Sequence, residues 1–290
     1  MTSTAIVVGA ILVASVIAVW FGERTWRRAS DAAFAQVASR ADSAARGDSA
    51  TRSGRARSFA PQSLDGLPAP VARYFRLVLI PGMRMVRLAY IDHAGDFALE
   101  PNDWKPFTSR QLYSTAPRAF VWDAAIRMFP LVPVRVRDAY RDGRGSTLGA
   151  IGGTVTMVDQ AGTPALARAA LLRYLAESAW LPTALLPSEG VQWTAIDDST
   201  AQATVADAKV EVSMDVHFAP TGEIARITAL RERDVNGTPV LTPWVGEFSH
   251  ELLSVGGMKI PVSAAVKWVL PEGEHVYWRG KVRGVRYDFR

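Results

Sequence analysis

The chain has 290 residues, with 33 Lys and Arg against 28 Asp and Glu, a formal net charge of +5 and no cysteine. Lack of cysteine excludes a disulfide scaffold and thiolate chemistry. The arginines are dispersed and mixed with Asp, so the concentrated basic and stacking footprint of a nucleic-acid binder is missing.

Residues 1–22 carry no charged side chain, and Ala5–Phe21 is an unbroken apolar or small stretch. A hydrocarbon core about 30 Å thick takes roughly 17–25 such residues as a helix. The stretch therefore predicts a transmembrane helix over 1–22 that meets the bilayer through residues 5–21. A secretory signal is disfavoured: no Lys or Arg precedes the run, and FGERTWRR follows it in place of a small-residue cleavage site. Trp20 and Trp26 are expected at one interface. Arg24, Arg27 and Arg28 are expected near anionic lipid headgroups. The predicted localisation is the cell membrane, single-pass. Between residues 23 and 57, eight Arg stand against four acidic residues, a bias that favours a cytoplasmic domain.

From Arg24 to Ala44 the mixture of Ala with Arg, Asp and Gln predicts a helical continuation, and residues 47–58 read as a polar linker. Residues 23–66 are thus a juxtamembrane helix and linker, and 67–289 a single domain. The domain opens with a helix in 67–80, where Val71, Tyr74, Phe75 and Val78 recur at spacings of three and four.

Beyond it the period becomes two. Phe107, Ser109, Gln111 and Tyr113 suggest one half-buried strand. Phe120, Trp122, Ala124, Ile126 and Met128 share a parity opposite to Asp123 and Arg127, and Val132, Val134 and Val136 alternate with Arg135 and Arg137. Val210, Val212, Met214, Val216 and Phe218 repeat the pattern, then a turn at 220–223 leads into IARITALRER. Met258 to Trp268 is read as another strand. In the last one, Gly280 and Gly284 flank a change of phase that permits a bulge. One-sided alternation favours an antiparallel sheet over the parallel sheet of an α/β enzyme. One helix interrupts it: Thr163 is a natural N-cap, Pro164 a good first residue, and the apolar face of 164–179 must pack on the sheet. The fold class is α+β, an N-terminal transmembrane helix followed by a large curved, mostly antiparallel sheet with a long helix packed on it. About five strands are expected before the helix and five or six after.

Three segments, WDAAIRMFPLVPVRVRDAYRDGRGS at 122–146, RYLAESAWLPTALLP at 173–187 and HVYWRGKVRGVRYDF at 275–289, resemble an uncharacterised bacterial family of the DUF6544 type. The resemblance implies membership from about Leu67 to Phe289 and brings no activity and no assigned catalytic residue; His275 departs from the pattern. At the fold level, a curved antiparallel sheet crossed by helices is similar to the periplasmic lipoprotein carriers. That likeness implies a concave face able to receive an acyl chain, and it favours a domain outside the cytoplasm, against the charge bias.

Ligand-binding candidates are Trp122, Arg127, Arg135, Tyr174, Glu177 and Trp180. The aromatic rings supply apolar walls, and the guanidinium groups, with Arg137, supply fixed donors for a carboxylate or phosphate. The competing assignment makes the rings core and pairs the arginines with Asp138, Asp142 or Glu177. Asp123, Glu177, Glu189, Asp197 and Asp198 are the acid–base candidates. No catalytic set is assigned. Residues 149–153, GAIGG, match neither a P-loop nor a dinucleotide fingerprint and read as a turn. His93, His217, His250 and His275 lack metal-site spacing, so no metal or cofactor is expected. The expected function is a membrane-anchored protein binding an apolar or lipid-like small molecule. An enzyme acting near the membrane and a protein-interaction or scaffold module remain as alternatives.

Overall fold

The computed structural model describes residues 2–51, 58–129 and 132–290. Three α-helices run α1(Thr2–Thr51), α2(Ala69–Val78) and α3(Pro164–Glu177). Six strands precede α3: β1(Val86–Ala98), β2(Trp104–Thr115), β3(Arg118–Ile126), β4(Val134–Arg141), β5(Arg144–Ile151) and β6(Val155–Ala161). Nine follow it: β7(Val191–Ala195), β8(Thr200–Asp207), β9(Val210–Phe218), β10(Ile224–Val235), β11(Thr238–Phe248), β12(Leu252–Val255), β13(Met258–Pro261), β14(Ser263–Leu270) and β15(Gly273–Phe289). All but β12 and β13 form one sheet of 13 strands in the order β6-β5-β4-β3-β2-β1-β15-β14-β11-β10-β9-β8-β7.

Every strand pairing described is antiparallel, and the last strand lies beside the first. The stretch from Met258 to Trp268, read as one strand, divides into β13, which pairs with β12, and β14, which rejoins the main sheet. The phase change in β15 is a register shift against β1 between Asp92 and His93, where Val282 and Gly284 are the successive partners.

Alternation sorts the side chains onto two faces. Ile91, Gln111, Trp122 and Asp138 form one cross-strand row on the concave side; Asp92, Arg110, Asp123 and Arg137 form the adjoining row on the convex side. The concave side wraps around α3, which touches β4 and β5 on one flank and β9 and β10 on the other. This explains why eight of its residues are buried, Ala167, Leu171 and Ala176 together with Ala169, Ala170, Leu172, Tyr174 and Leu175 of the expected face. Cross-cup bonds, Gln160 to Asp234 at 2.8 Å and Tyr140 to Asp207 at 2.7 Å, draw the two flanks together. The Thr163 hydroxyl accepts the Leu166 N–H at 3.2 Å and so caps the helix as predicted.

The course of α1 departs from expectation. It crosses the convex side as one continuous helix. Trp26, Ser30, Val37 and Ala41 fall on one face, and Val37 and Ala41 pack on Leu88, Leu112, Ala119 and Val121. Trp26 is consequently buried and does not sit at a membrane interface. Among the described residues no helix is long and apolar enough to cross a membrane, so the predicted transmembrane helix is not supported. Of the apolar run Ala5–Phe21, the side chains of nine residues lie outside the described ones, and before Val16 only Val7 and Ala14 are described. The proposed linker is helical to Thr51, and residues 52–57 are outside the description.

Candidate functional site

The floor of the cup is built where the C-terminal turn of α3 meets β1, β2 and β4. Arg173 and Glu177, one helical turn apart, face the same side and pair through Nε at 2.8 Å. Arg173 also donates to Asp138 at 2.7 Å, and its guanidinium lies 4.8 Å from the centre of the Trp122 ring. Glu177 further accepts bonds from Gln111 Nε2 at 2.7 Å and from the Tyr113 hydroxyl. Burial disfavours both charges. For Arg173 the neighbouring Glu177 and Asp138 outweigh that cost and raise its pKa. For Glu177 the guanidinium and the donated hydrogen bonds win, and its pKa falls below the usual carboxylate value. The pair stays ionised.

Beside it stand His93 and Ser109, cross-strand neighbours one row along. His93 is 2 % exposed and neither of its ring nitrogens has a hydrogen-bond partner; the Ser109 hydroxyl, 7 % exposed, has none either. The imidazole is held between Trp180, whose ring centre is 4.6 Å away, and Trp278 at 5.8 Å. Burial drives its pKa down to about 4, with Glu177 pulling weakly the other way, so it is neutral at pH 7. A neutral imidazole offers one donor and one acceptor. Buried polar groups are nearly always satisfied, and two adjacent orphans are an exception that calls for an explanation.

Inward-facing rings continue from this floor toward the strand ends that carry the β1–β2 and β14–β15 connections. Phe107 contacts Trp122 and Trp278, Phe97 contacts Tyr277, and Tyr277 stacks on Trp268 with ring centres 5.7 Å apart. Arg231 lies over both Trp244 and Trp268, and the Trp244 indole N–H donates to the Tyr277 hydroxyl at 2.9 Å. Phe97, Met128, Trp268 and Tyr277 are only half-buried although they pack on the core. These half-buried rings form the aromatic mouth of the cup.

The predicted ligand residues divide between the two sides. Trp122, Glu177 and Trp180 are at the floor of the cup. Trp180 donates its indole N–H to the Pro261 carbonyl at 3.0 Å, so its polar end is already engaged. Tyr174 is buried nearby, donates to the Ser114 carbonyl at 3.1 Å and serves the core. Arg135 is on the opposite, convex side, and Arg127 is exposed just past the end of β3. Strand parity put Trp122 and Asp123 on opposite faces, and the same rule separates Arg135 from Trp122. Of the acid–base candidates, Glu189 pairs with Arg290, Asp197 binds Ser199 in an exposed turn, and Asp123 is turned away from Glu177. Sequence reading weighed His93 only as a metal ligand and Ser109 only as a strand position, and made neither a ligand-binding candidate. Their signal was polar residues at inward positions of strands otherwise carrying Ile91, Phe107 and Tyr113.

On the convex side, Asp123 accepts the Trp26 indole N–H at 2.8 Å, Arg110 Nε at 3.0 Å and Arg135 Nη2 at 3.1 Å. Arg110 reaches on to Asp31 at 2.6 Å, and Arg137 donates to Ser30 at 3.1 Å. This cluster rivets α1 to the sheet.

The class of protein is thus an open antiparallel sheet curled around one helix, with half-buried aromatic rings at one end of its concave face. A family of unknown function, DUF6920, matches residues 65–287, and the chain belongs to it. That finding overturns the DUF6544 resemblance while retaining nearly the expected span. No curated protein matches the chain. Among solved structures, a β-barrel-like protein of domain DUF1849 from Brucella abortus is similar at 13 % identity and a TM-score of 0.22, covering 71 % of this chain and 100 % of that one. A likeness at that score carries no argument about fold or activity.

Proposed function

We propose that the protein binds an apolar, lipid-like molecule in the mouth of the cup. An uncharged polar head, such as an ester or hydroxyl, meets His93 and Ser109, and the chain lies along Phe107, Trp278, Tyr277 and Trp268. The observation that carries this reading is the pair of buried, unpartnered side chains at the floor of an aromatic concavity whose outer residues are half-buried. Ligand sites commonly combine such an apolar lining with a few polar groups that fix orientation. A neutral His93 favours an uncharged head over a carboxylate, because charging the imidazole inside this site opposes its burial.

Native mass spectrometry of the full chain, purified in mild detergent, tests the reading. A retained species of lipid mass is expected. Ser109→Leu fills the polar recess and should lower its occupancy while circular dichroism remains unchanged. Protein that is repeatedly empty, or equal occupancy in the Ser109→Leu variant, overturns the assignment.

A further inference from the structure

Three consecutive features at one end of the sheet expose apolar side chains. Leu99 lies in the β1–β2 connection, Phe129 in the β3–β4 connection, and Val155 and Met157 at the start of the edge strand β6. Register places these connections at the same end, since Phe107 pairs with Ile126, Ile126 with Val134, and Val134 with Ile151. It is also the end toward which Phe97 and Met128 of the aromatic mouth lie.

Helix α1 passes the same edge. A Cβ on Gly22 would meet the Gly152 carbonyl oxygen and Thr154 at 2.3 Å, and one on Gly153 would meet the Gly22 carbonyl oxygen at 2.6 Å. Helix and turn therefore touch backbone to backbone, which only glycine permits. This explains GAIGG: its last two residues are the socket for α1. Residues N-terminal to the contact continue past the turn, and Val16, Ile17, Trp20 and Phe21 there are exposed. Around this apolar edge, Arg24, Arg28 and Arg127 are exposed and form no ion pair among the described residues.

We propose that this edge, made of Leu99, Phe129, Val155 and Met157 together with the Val16–Phe21 face of α1, rests on an anionic lipid bilayer, with the mouth of the cup turned toward it. Large exposed rings and aliphatic chains beside unpaired arginines suit the boundary between acyl chains and acidic headgroups. A protein partner would need to match an apolar surface that runs onto a stretch with no charge from residue 1 to residue 22; a bilayer needs no such match. Ligand binding and docking are independent, since an empty cup still docks and a filled cup need not.

The absence of cysteine makes the test clean, because single cysteines label uniquely. Nitroxide labels at Phe129→Cys and Met157→Cys are compared with Leu241→Cys, an exposed apolar position in β11, in full-length protein on two kinds of vesicle. These contain phosphatidylcholine alone or with about a third phosphatidylglycerol. On the anionic vesicles, oxygen accessibility at 129 and 157 should exceed that at 241 several-fold, with a smaller excess on the neutral ones. Replacing Arg24, Arg28 and Arg127 by Gln should abolish the difference between vesicle types. Water exposure at 129 and 157 equal to that at 241 overturns the proposal. So does spin–spin broadening between labels that rises with protein concentration, which assigns the edge to a second copy of the chain.

Discussion

Trp122 and Asp123 are consecutive residues of β3, yet they belong to two buried polar regions with different outcomes. Behind the sheet, all the acceptor capacity that Asp123 presents is used by Trp26, Arg110 and Arg135. Of the atoms left over there, Arg135 Nε and Glu23 Oε1 are 4.0 Å apart, a donor beside an acceptor, and Arg110 Nη2 belongs to a guanidinium already bonded to Asp123 and Asp31. In front of the sheet, Arg173 and Glu177 are equally well engaged, but His93 and Ser109 next to them bond to nothing, not even each other. A charge cluster with its partners present is a joint. Unpaired polar groups beside half-buried rings are what the proposed ligand site rests on.

The ion pair on the concave side should give the largest effect. Arg173→Met or Glu177→Leu leaves its partner buried and uncompensated, and each should cost about 3–5 kcal/mol in urea unfolding. The double variant should cost less than the sum, because neither member of the pair is left facing an absent partner and only the half-buried Asp138 loses its cation. Additive losses would mean that the two residues act separately.

Asp123→Asn sharpens the contrast. It strands Arg135 and weakens the hold on Trp26, so a loss of about 3 kcal/mol is expected. Amide exchange should accelerate in residues 22–42 of α1 while α3 keeps its protection. Equal acceleration in both helices would dissolve the distinction between the two regions.

His93 supplies a pH effect of roughly 3 kcal/mol at most. Its pKa is lowered by burial from the ordinary 6.5 to about 4, so the unfolded chain takes up a proton before the native protein does. Stability associated with the neutral ring is complete above pH 6.5 and is lost as the pH falls toward 4. Urea midpoints at pH 7 and pH 4.5 should therefore diverge more in the natural protein than in His93→Phe. An unchanged divergence would show that the ring does not titrate in this way. The smallest effect is at the start of α3: Thr163→Ala removes the cap at Leu166 and should cost about 1 kcal/mol, measured as a shift in thermal midpoint.

The sheet was legible because period-two alternation is local, as in Val210–Phe218, and the cap of α3 was legible because Thr163-Pro164 is a local signal. The route of α1 over the convex face was not. It depends on Asp123 meeting Trp26 across 97 residues and on a glycine contact between Gly22 and the 152–153 turn. The ligand candidates failed where parity was not enforced: Arg135 and Trp122 were grouped by nearness in sequence, although the pleat sends them to opposite sides. His93 was set aside for want of metal-site spacing, because a lone inward histidine looks in sequence like any satisfied core residue. Only the absence of a partner sets it apart.

Tryptophan-to-dansyl energy transfer with 11-(dansylamino)undecanoic acid methyl ester, an acyl probe with an uncharged head, tests the central claim most directly. The full chain should give a saturable signal from the rings around the cup, and His93→Leu together with Ser109→Leu should weaken the affinity at least tenfold while Asp123→Asn leaves it nearly unchanged. A signal that never saturates, or one that the Asp123→Asn change weakens as much as the concave pair does, would contradict the assignment of the ligand site to the front of the sheet.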